Sequence, residues 1–120
     1  MGTLRAMDAI LQAVSDGSRR TMLDVLRDRD ATVSELAALL PIARPGVSRH
    51  LRVLREAGLV EARTESQWRI YRLRPEQLAQ VDEWLGRYRP LWEKRITDLH
   101  TEIDRGKDER RRPTWRAPAP

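Results

Sequence analysis

The chain has 120 residues, 40% of them hydrophobic, which is enough to bury one modest core, so a single globular domain is expected. It has no cysteine, which excludes disulfides, thiolate metal sites and thiol redox sensing, and no apolar run near the roughly 20 residues of a membrane span or the layout of a signal peptide, so a cytoplasmic protein is expected. The formal charge is +5, but residues 105–120 carry six bases and two acids, which leaves residues 1–104 only +1, so where the charge lies matters more than its total.

Met7, Ile10, Leu11 and Val14 make the apolar stripe of a first helix. Asp16-Gly17-Ser18 breaks it and caps a second helix through about Arg29, with Met22, Leu23, Val25 and Leu26 on its buried side. A third helix opens with Thr32 three residues before Glu35, the capping-box spacing in which each side chain satisfies a backbone N–H left unpaired by the helix end. Val33, Leu36, Ala37 and Leu40 follow at i, i+3, i+4 and i+7 until Pro41 stops the helix. Pro45, with φ already suited to a first helical position, restarts the chain; Val47, Leu51 and Leu54 face inward, and Gly58 supplies the left-handed residue that ends the fourth helix.

The opposite face of that fourth helix carries Arg44, Ser48, Arg49, Arg52 and Arg55, with Glu56 the only acid close by. A lone basic helix is commonly just a solvated charged face. A helix in the DNA major groove would instead use these groups on phosphates and on guanine edges, where the planar guanidinium pairs bidentately with O6 and N7. Context favours the second reading: residues 44–74 hold eight arginines against three glutamates, a local net of +5.

Leu59–Arg63 and Trp68–Leu73 are short β-forming runs joined by Thr64-Glu65-Ser66-Gln67, a hairpin directly after the basic helix. Four helices followed by a hairpin predict a mainly α winged helix-turn-helix, whose hairpin reaches along DNA beside the groove. Arg63, Gln67 and Arg69 are its candidate contacts, or else solvated polar residues. From Pro75 a helical pattern resumes in Leu78, Val81, Leu85, Tyr88, Trp92, Ile96, Leu99 and Ile103, and because Leu78, Leu85, Trp92 and Leu99 are seven apart the stripe reads as a seam for a second copy of the chain. Met7, Leu11, Leu85, Tyr88, Trp92 and Leu99 are the expected dimer contacts; the alternative is that the stripe packs on its own domain. Pro90 crowds the carbonyl of Gly86, so the segment should bend or split between them. Residues 105–120, RGKDERRRPTWRAPAP, lack periodicity and are expected to form a disordered basic tail after a DNA-binding and dimerisation domain over 1–104.

The span from about Met7 to Ile103 resembles the ArsR/SmtB winged-helix repressors of bacteria. The Asp16-Gly17-Ser18-Arg19-Arg20 helix start, the VSELAALL helix, the Arg44-Pro45-Gly46-Val47-Ser48-Arg49-His50-Leu51 reading helix, the Leu54-Arg55-Glu56-Ala57-Gly58-Leu59-Val60 exit and the Ile70-Tyr71-Arg72-Leu73 wing strand stand in family order. The resemblance implies a homodimer on a palindromic operator, released by an inducer that the sequence does not identify. Arg44, Pro45, Gly46, Ser48, Arg49, His50 and Arg52 would then contact the DNA, with His50 either touching it or supporting the helix. Dimer symmetry would set the two reading helices roughly 34–36 Å apart.

Two departures bear on ligands. Ala37 and Ala38 stand where the family's thiol sensors have cysteines, and the acids and histidine offered for its other metal site, Asp82, Asp98, His100 and Asp104, are a poor zinc set. No metal or other cofactor is expected, as in the family's metal-independent branch. Ala43 replaces a frequent capping serine, and the wing tip lacks the usual glycine. Ser48 and His50 lie two apart, on different helix faces, and the chain has no glycine-rich phosphate loop, so catalysis is not expected. The competing readings are a winged helix for protein contact and a sequence-independent DNA-packaging protein.

Overall fold

The computed structural model describes residues 2–108, with side chains from 5 to 104. In chain order it forms α1 Gly2–Ala13, α2 Gly17–Asp28, β1 Ala31–Thr32, α3 Val33–Leu39, α4 Arg44–Glu56, β2 Val60–Glu65, β3 Trp68–Leu73, α5 Glu76–Gly86 and α6 Arg89–Asp108. The chain divides into two compact units, one ending at Glu83 and the other beginning at Trp84. Most of the expected tail, residues 109–120, lies outside the described residues.

Local chemistry sets the helix ends of the first unit. The Asp16 carboxylate caps α2, accepting from the backbone N–H of Arg19 at 3.0 Å. At α3 both halves of the capping box are present: Glu35 N–H donates to Thr32 Oγ1 at 3.2 Å, and Thr32 N–H donates to Glu35 Oε1 at 2.9 Å. α4 starts after Ala43 with no side-chain cap, its first turn preset by Pro45. It ends in a Schellman motif: Gly58 is left-handed at φ 78°, its N–H donates to the Arg55 carbonyl, and the Leu59 N–H reaches back to the Leu54 carbonyl, both at 2.9 Å. A side chain at Gly58 would be strained by that φ and would press on Gln77 at 3.2 Å.

The core gathers the inward stripes of α1 to α4. Ile10, Met22, Leu36, Val47, Leu51 and Leu54 are fully buried, together with Leu59 of the α4 exit. Val60 and Tyr71 close the core from the sheet. That sheet is antiparallel in the order β1-β3-β2. It differs from the expected hairpin in two ways. Thr64 and Glu65 are paired with Arg69 and Trp68, so the connecting turn is only Ser66-Gln67, with Ser66 in the left-handed region at φ 57°. A third strand, β1, pairs Ala31 with Tyr71 and Thr32 with Ile70. At two residues it is too short for alternation to announce it, and Thr32 serves at once as strand end and as the cap of α3.

The long C-terminal pattern splits where proline demands it: α5 stops at Gly86 and α6 starts at Arg89, with Pro90 in its first turn, where a missing N–H costs nothing. The apolar stripe is not uniform along its length. Leu78 and Val81 are partly buried against the core of their own unit, so the stripe is shared between core and surface. In the second unit Trp84 and Tyr88 meet edge to face, ring centroids 5.5 Å apart. Tyr88, Leu91, Trp92 and Ile96 are exposed. Among the described residues no helix is long and apolar enough to cross a membrane.

Candidate nucleic-acid interface

The apolar stripe of α4 decides which of its side chains face out. With Val47, Leu51 and Leu54 buried, Arg44, Pro45, Ser48, Arg49, Arg52 and Arg55 are all exposed. Gly46 and His50 are set back. A Cβ on Gly46 would come within 2.7 Å of Ile42 Cγ2, so this glycine lets the α3–α4 turn pack against the start of the reading helix. His50 falls on the inward stripe, i+3 from Val47, and its Nδ1 lies 3.2 Å from Arg19 Nη1 and 4.0 Å from Asp16 Oδ2. The sequence reading singled out His50 but missed Arg19, which lies 31 positions away and carries no local signal of the contact.

The arginines divide by what they touch. Among the described residues, Arg44, Arg49, Arg52 and Arg55 take part in no ion pair. Three arginines in and just after the sheet are differently placed. Arg72 and Arg74 flank Glu61 at 2.9 and 3.9 Å, and Arg63 donates to Asp30 at 2.8 Å and to Glu65 at 3.1 Å. Those two carboxylates, Asp30 first, hold the Arg63 guanidinium even more firmly protonated than usual.

Register separates the three candidate wing residues. Arg63 pairs with Ile70 and Arg69 with Thr64, so strand alternation sends Arg63 and Arg69 to opposite faces of the hairpin. The Arg69 guanidinium carbon lies 5.7 Å from the centre of the Tyr71 ring, a cation–π contact made by a residue that stays exposed. Gln67 is exposed in the two-residue turn. Of the expected dimer contacts, Leu11, Tyr88 and Trp92 are exposed, while Met7, Leu85 and Leu99 are half-buried.

Two carboxyl groups are held below their ordinary range. For Asp16 the main cause is the Arg19 backbone N–H, opposed by partial desolvation and helped by the Arg19 charge. For Glu35 it is the Thr32 backbone N–H, then the Thr32 hydroxyl. Both are capping groups, so the shifts belong to helix ends and not to a reacting centre. Among the described residues no three histidine, aspartate or glutamate side chains are grouped to hold a metal ion, and no hydrogen bond joins Ser48 to His50.

An unpaired arginine face on a helix seated over a buried stripe, followed by an antiparallel hairpin, defines a winged helix-turn-helix of the DNA-binding type. Residues 10–62 match the family model described as bacterial regulatory protein, arsR family. The chain is 38% identical over 109 residues to the HTH-type transcriptional regulator Rv2034 of Mycobacterium tuberculosis, spanning 91% of this chain and 99% of that protein. It is 30% identical over 79 residues to the transcriptional repressor SdpR of Bacillus subtilis, spanning 66% of this chain and 88% of that one. Among solved structures it is similar to the homodimeric winged helix-turn-helix DNA-binding domain of a possible ArsR-family transcriptional regulator from Mycobacterium bovis, with a TM-score of 0.61 and 26% identity over 83% of this chain and 85% of that one. The chain belongs to the ArsR family and is a DNA-binding transcriptional regulator.

Proposed function

We propose that the protein is a cytoplasmic homodimeric repressor that occupies palindromic operator DNA, and that it carries out no catalysis. The observation that carries this reading is the exposed face of α4: among the described residues Arg44, Arg49 and Arg52 pair with no acid, so no such ion pair has to be broken before they meet phosphate or a guanine edge. Ser48 sits among them and hydrogen-bonds to phosphate or a base. Pro45 and Gly46 fix the helix start and let the backbone approach the duplex, and His50 supports the helix from its inner side.

At the wing, Gln67 and Arg69 reach the DNA, while Arg63, held by Asp30 and Glu65, keeps the hairpin in place. The second copy packs on the apolar side chains of the C-terminal helices, Leu85, Tyr88, Trp92 and Leu99, with Met7 and Leu11 of α1. Three of these residues, Leu11, Tyr88 and Trp92, are exposed in the single chain, and a relative with this fold is homodimeric.

The test is a titration of the purified protein on its own upstream DNA against scrambled DNA of equal length, at physiological salt. A preference of about 10³ or more is expected. Equal binding would replace the repressor with a packaging protein, and no binding with a protein-contact module. On the preferred DNA, Arg49→Ala should weaken binding by roughly 1–3 kcal/mol if the side chain reads a base; unchanged affinity would remove Arg49 from the interface.

A further inference from the structure

We infer that Arg19 is the positioning residue of the reading helix, setting where α4 sits by holding His50 in a single tautomer. The inference rests on the DNA-binding reading above and adds a residue outside the DNA-contacting face.

Arg19 is committed on every side. Its backbone N–H donates to Asp16 Oδ2 at 3.0 Å, which places the residue at the start of α2. Its Nε donates to the Ala13 carbonyl at 2.7 Å and its Nη2 to the Gln12 carbonyl at 3.2 Å. These carbonyls belong to the last turn of α1, where the helix itself has run out of N–H groups; the Gln12 carbonyl also accepts from the Ser15 N–H and hydroxyl. The remaining nitrogen, Nη1, lies 3.2 Å from His50 Nδ1. One planar guanidinium thus ties the end of α1 and the start of α2 to the middle of α4.

The chemistry allows one arrangement of protons. Arginine has donors and no acceptor, and it stays protonated, so a hydrogen bond between Nη1 and Nδ1 requires Nδ1 to accept and the single proton of the neutral ring to sit on Nε2. The only other charged group facing Nδ1 among the described residues is the Asp16 carboxylate at 4.0 Å. His50 lies on the same stripe as Val47, Leu51 and Leu54, so a shift or roll of its ring moves with the core side of α4, and the opposite, arginine-bearing face turns by the same angle.

The test separates geometry from mere presence of a polar group. An asparagine at position 50 brings its amide oxygen near the place of Nδ1, whereas a glutamine brings it near the place of Nε2. In the full chain, on its own upstream DNA, His50→Asn is expected to keep affinity within about twofold, and His50→Gln and Arg19→Ala each to lose about tenfold, the size of one charge-assisted hydrogen bond. The double variant should lose no more than the weaker single one, with the salt dependence unchanged throughout.

Nitrogen-15 NMR of the free protein should show His50 protonated at Nε2, and the bias lost in Arg19→Ala. Equal losses for Asn and Gln, additive losses in the double variant, or a ring protonated at Nδ1 in the parent protein would each overturn the inference. A salt slope smaller by about one in Arg19→Ala would make Arg19 a phosphate contact instead. If Arg19→Ala is too unstable to assay, the Asn and Gln pair and the NMR of the parent decide the matter. Failure of the parent protein to prefer its own DNA would remove the DNA-binding reading itself, a result none of the variants can mimic.

Discussion

α4 and α6 both repeat apolar residues at helical spacing, and the two stripes meet opposite fates. Val47, Leu51 and Leu54 of α4 are entirely covered by their own chain, whereas Trp92 and Ile96 of α6 are 37% and 47% exposed. Periodicity reports that a helix has an apolar side; it does not report who covers it. In α4 the covering side chains come from the neighbouring helices and the sheet, so the stripe works as core and the opposite, arginine-bearing face is left exposed. In α6 the stripe is left at the surface of the single chain, which is why it is the proposed seat of a second copy.

The largest expected effect tests the first half of that contrast. Leu51→Ala deletes a fully buried side chain and should lower unfolding free energy by about 2–5 kcal/mol in denaturant titrations. The same truncation at Ile96, assayed at concentrations where the chain is monomeric, should change it by no more than about 0.5 kcal/mol. Comparable losses at both positions would break the contrast. The second half is probed by Trp92→Ala, which should weaken self-association by about 1–3 kcal/mol, read as a rise in dissociation constant by sedimentation or dilution. An unchanged oligomeric state would show that this stripe is not the interface.

Smaller effects sharpen the picture of α3 as the support for α4. Thr32→Ala removes the hydroxyl half of the capping box and should cost about 1 kcal/mol of stability. Smallest is an acid dependence. Asp16 and Glu35 are depressed in the folded chain, so the stability they lend is present above the ordinary carboxylate range, about pH 4 to 5, and is lost as pH falls through their lower folded values. Asp16→Asn and Glu35→Gln together should flatten that part of the acid unfolding profile. A profile identical to that of the parent would show that the caps are not what titrates.

The parts legible in the sequence are those fixed by near neighbours. Asp16 with Arg19, Thr32 with Glu35 and Gly58 after Leu54 act over three or four residues, so α2, α3 and α4 could be bounded by reading alone. The same holds for the break before Pro90. The unread parts depend on residues far apart in the chain. β1 exists only because β3 lies beside it, Arg63 finds Asp30 from 33 positions away, and Arg19 finds His50 from 31. The stripe beginning at Leu78 shows the converse difficulty, because its spacing continues without interruption while its partner changes from the protein's own core at Val81 to open surface at Trp92.

The exit from α4 has a consequence for how such a protein can change its target. Between Glu56 and Val60 the chain has three residues, and each is committed: Ala57 ends the helix, Gly58 is left-handed, and Leu59 is buried, with its carbonyl accepting from Arg74 at 2.8 Å. Helix and wing are therefore joined by a connection in which no residue is spare. If the proposed interface is right, new binding preferences are written in the side chains of the arginine face, which are exposed and, among the described residues, make no ion pair. Substitutions there leave the fold almost untouched, so sequence preference can drift across many alternatives while the scaffold that presents it stays the same.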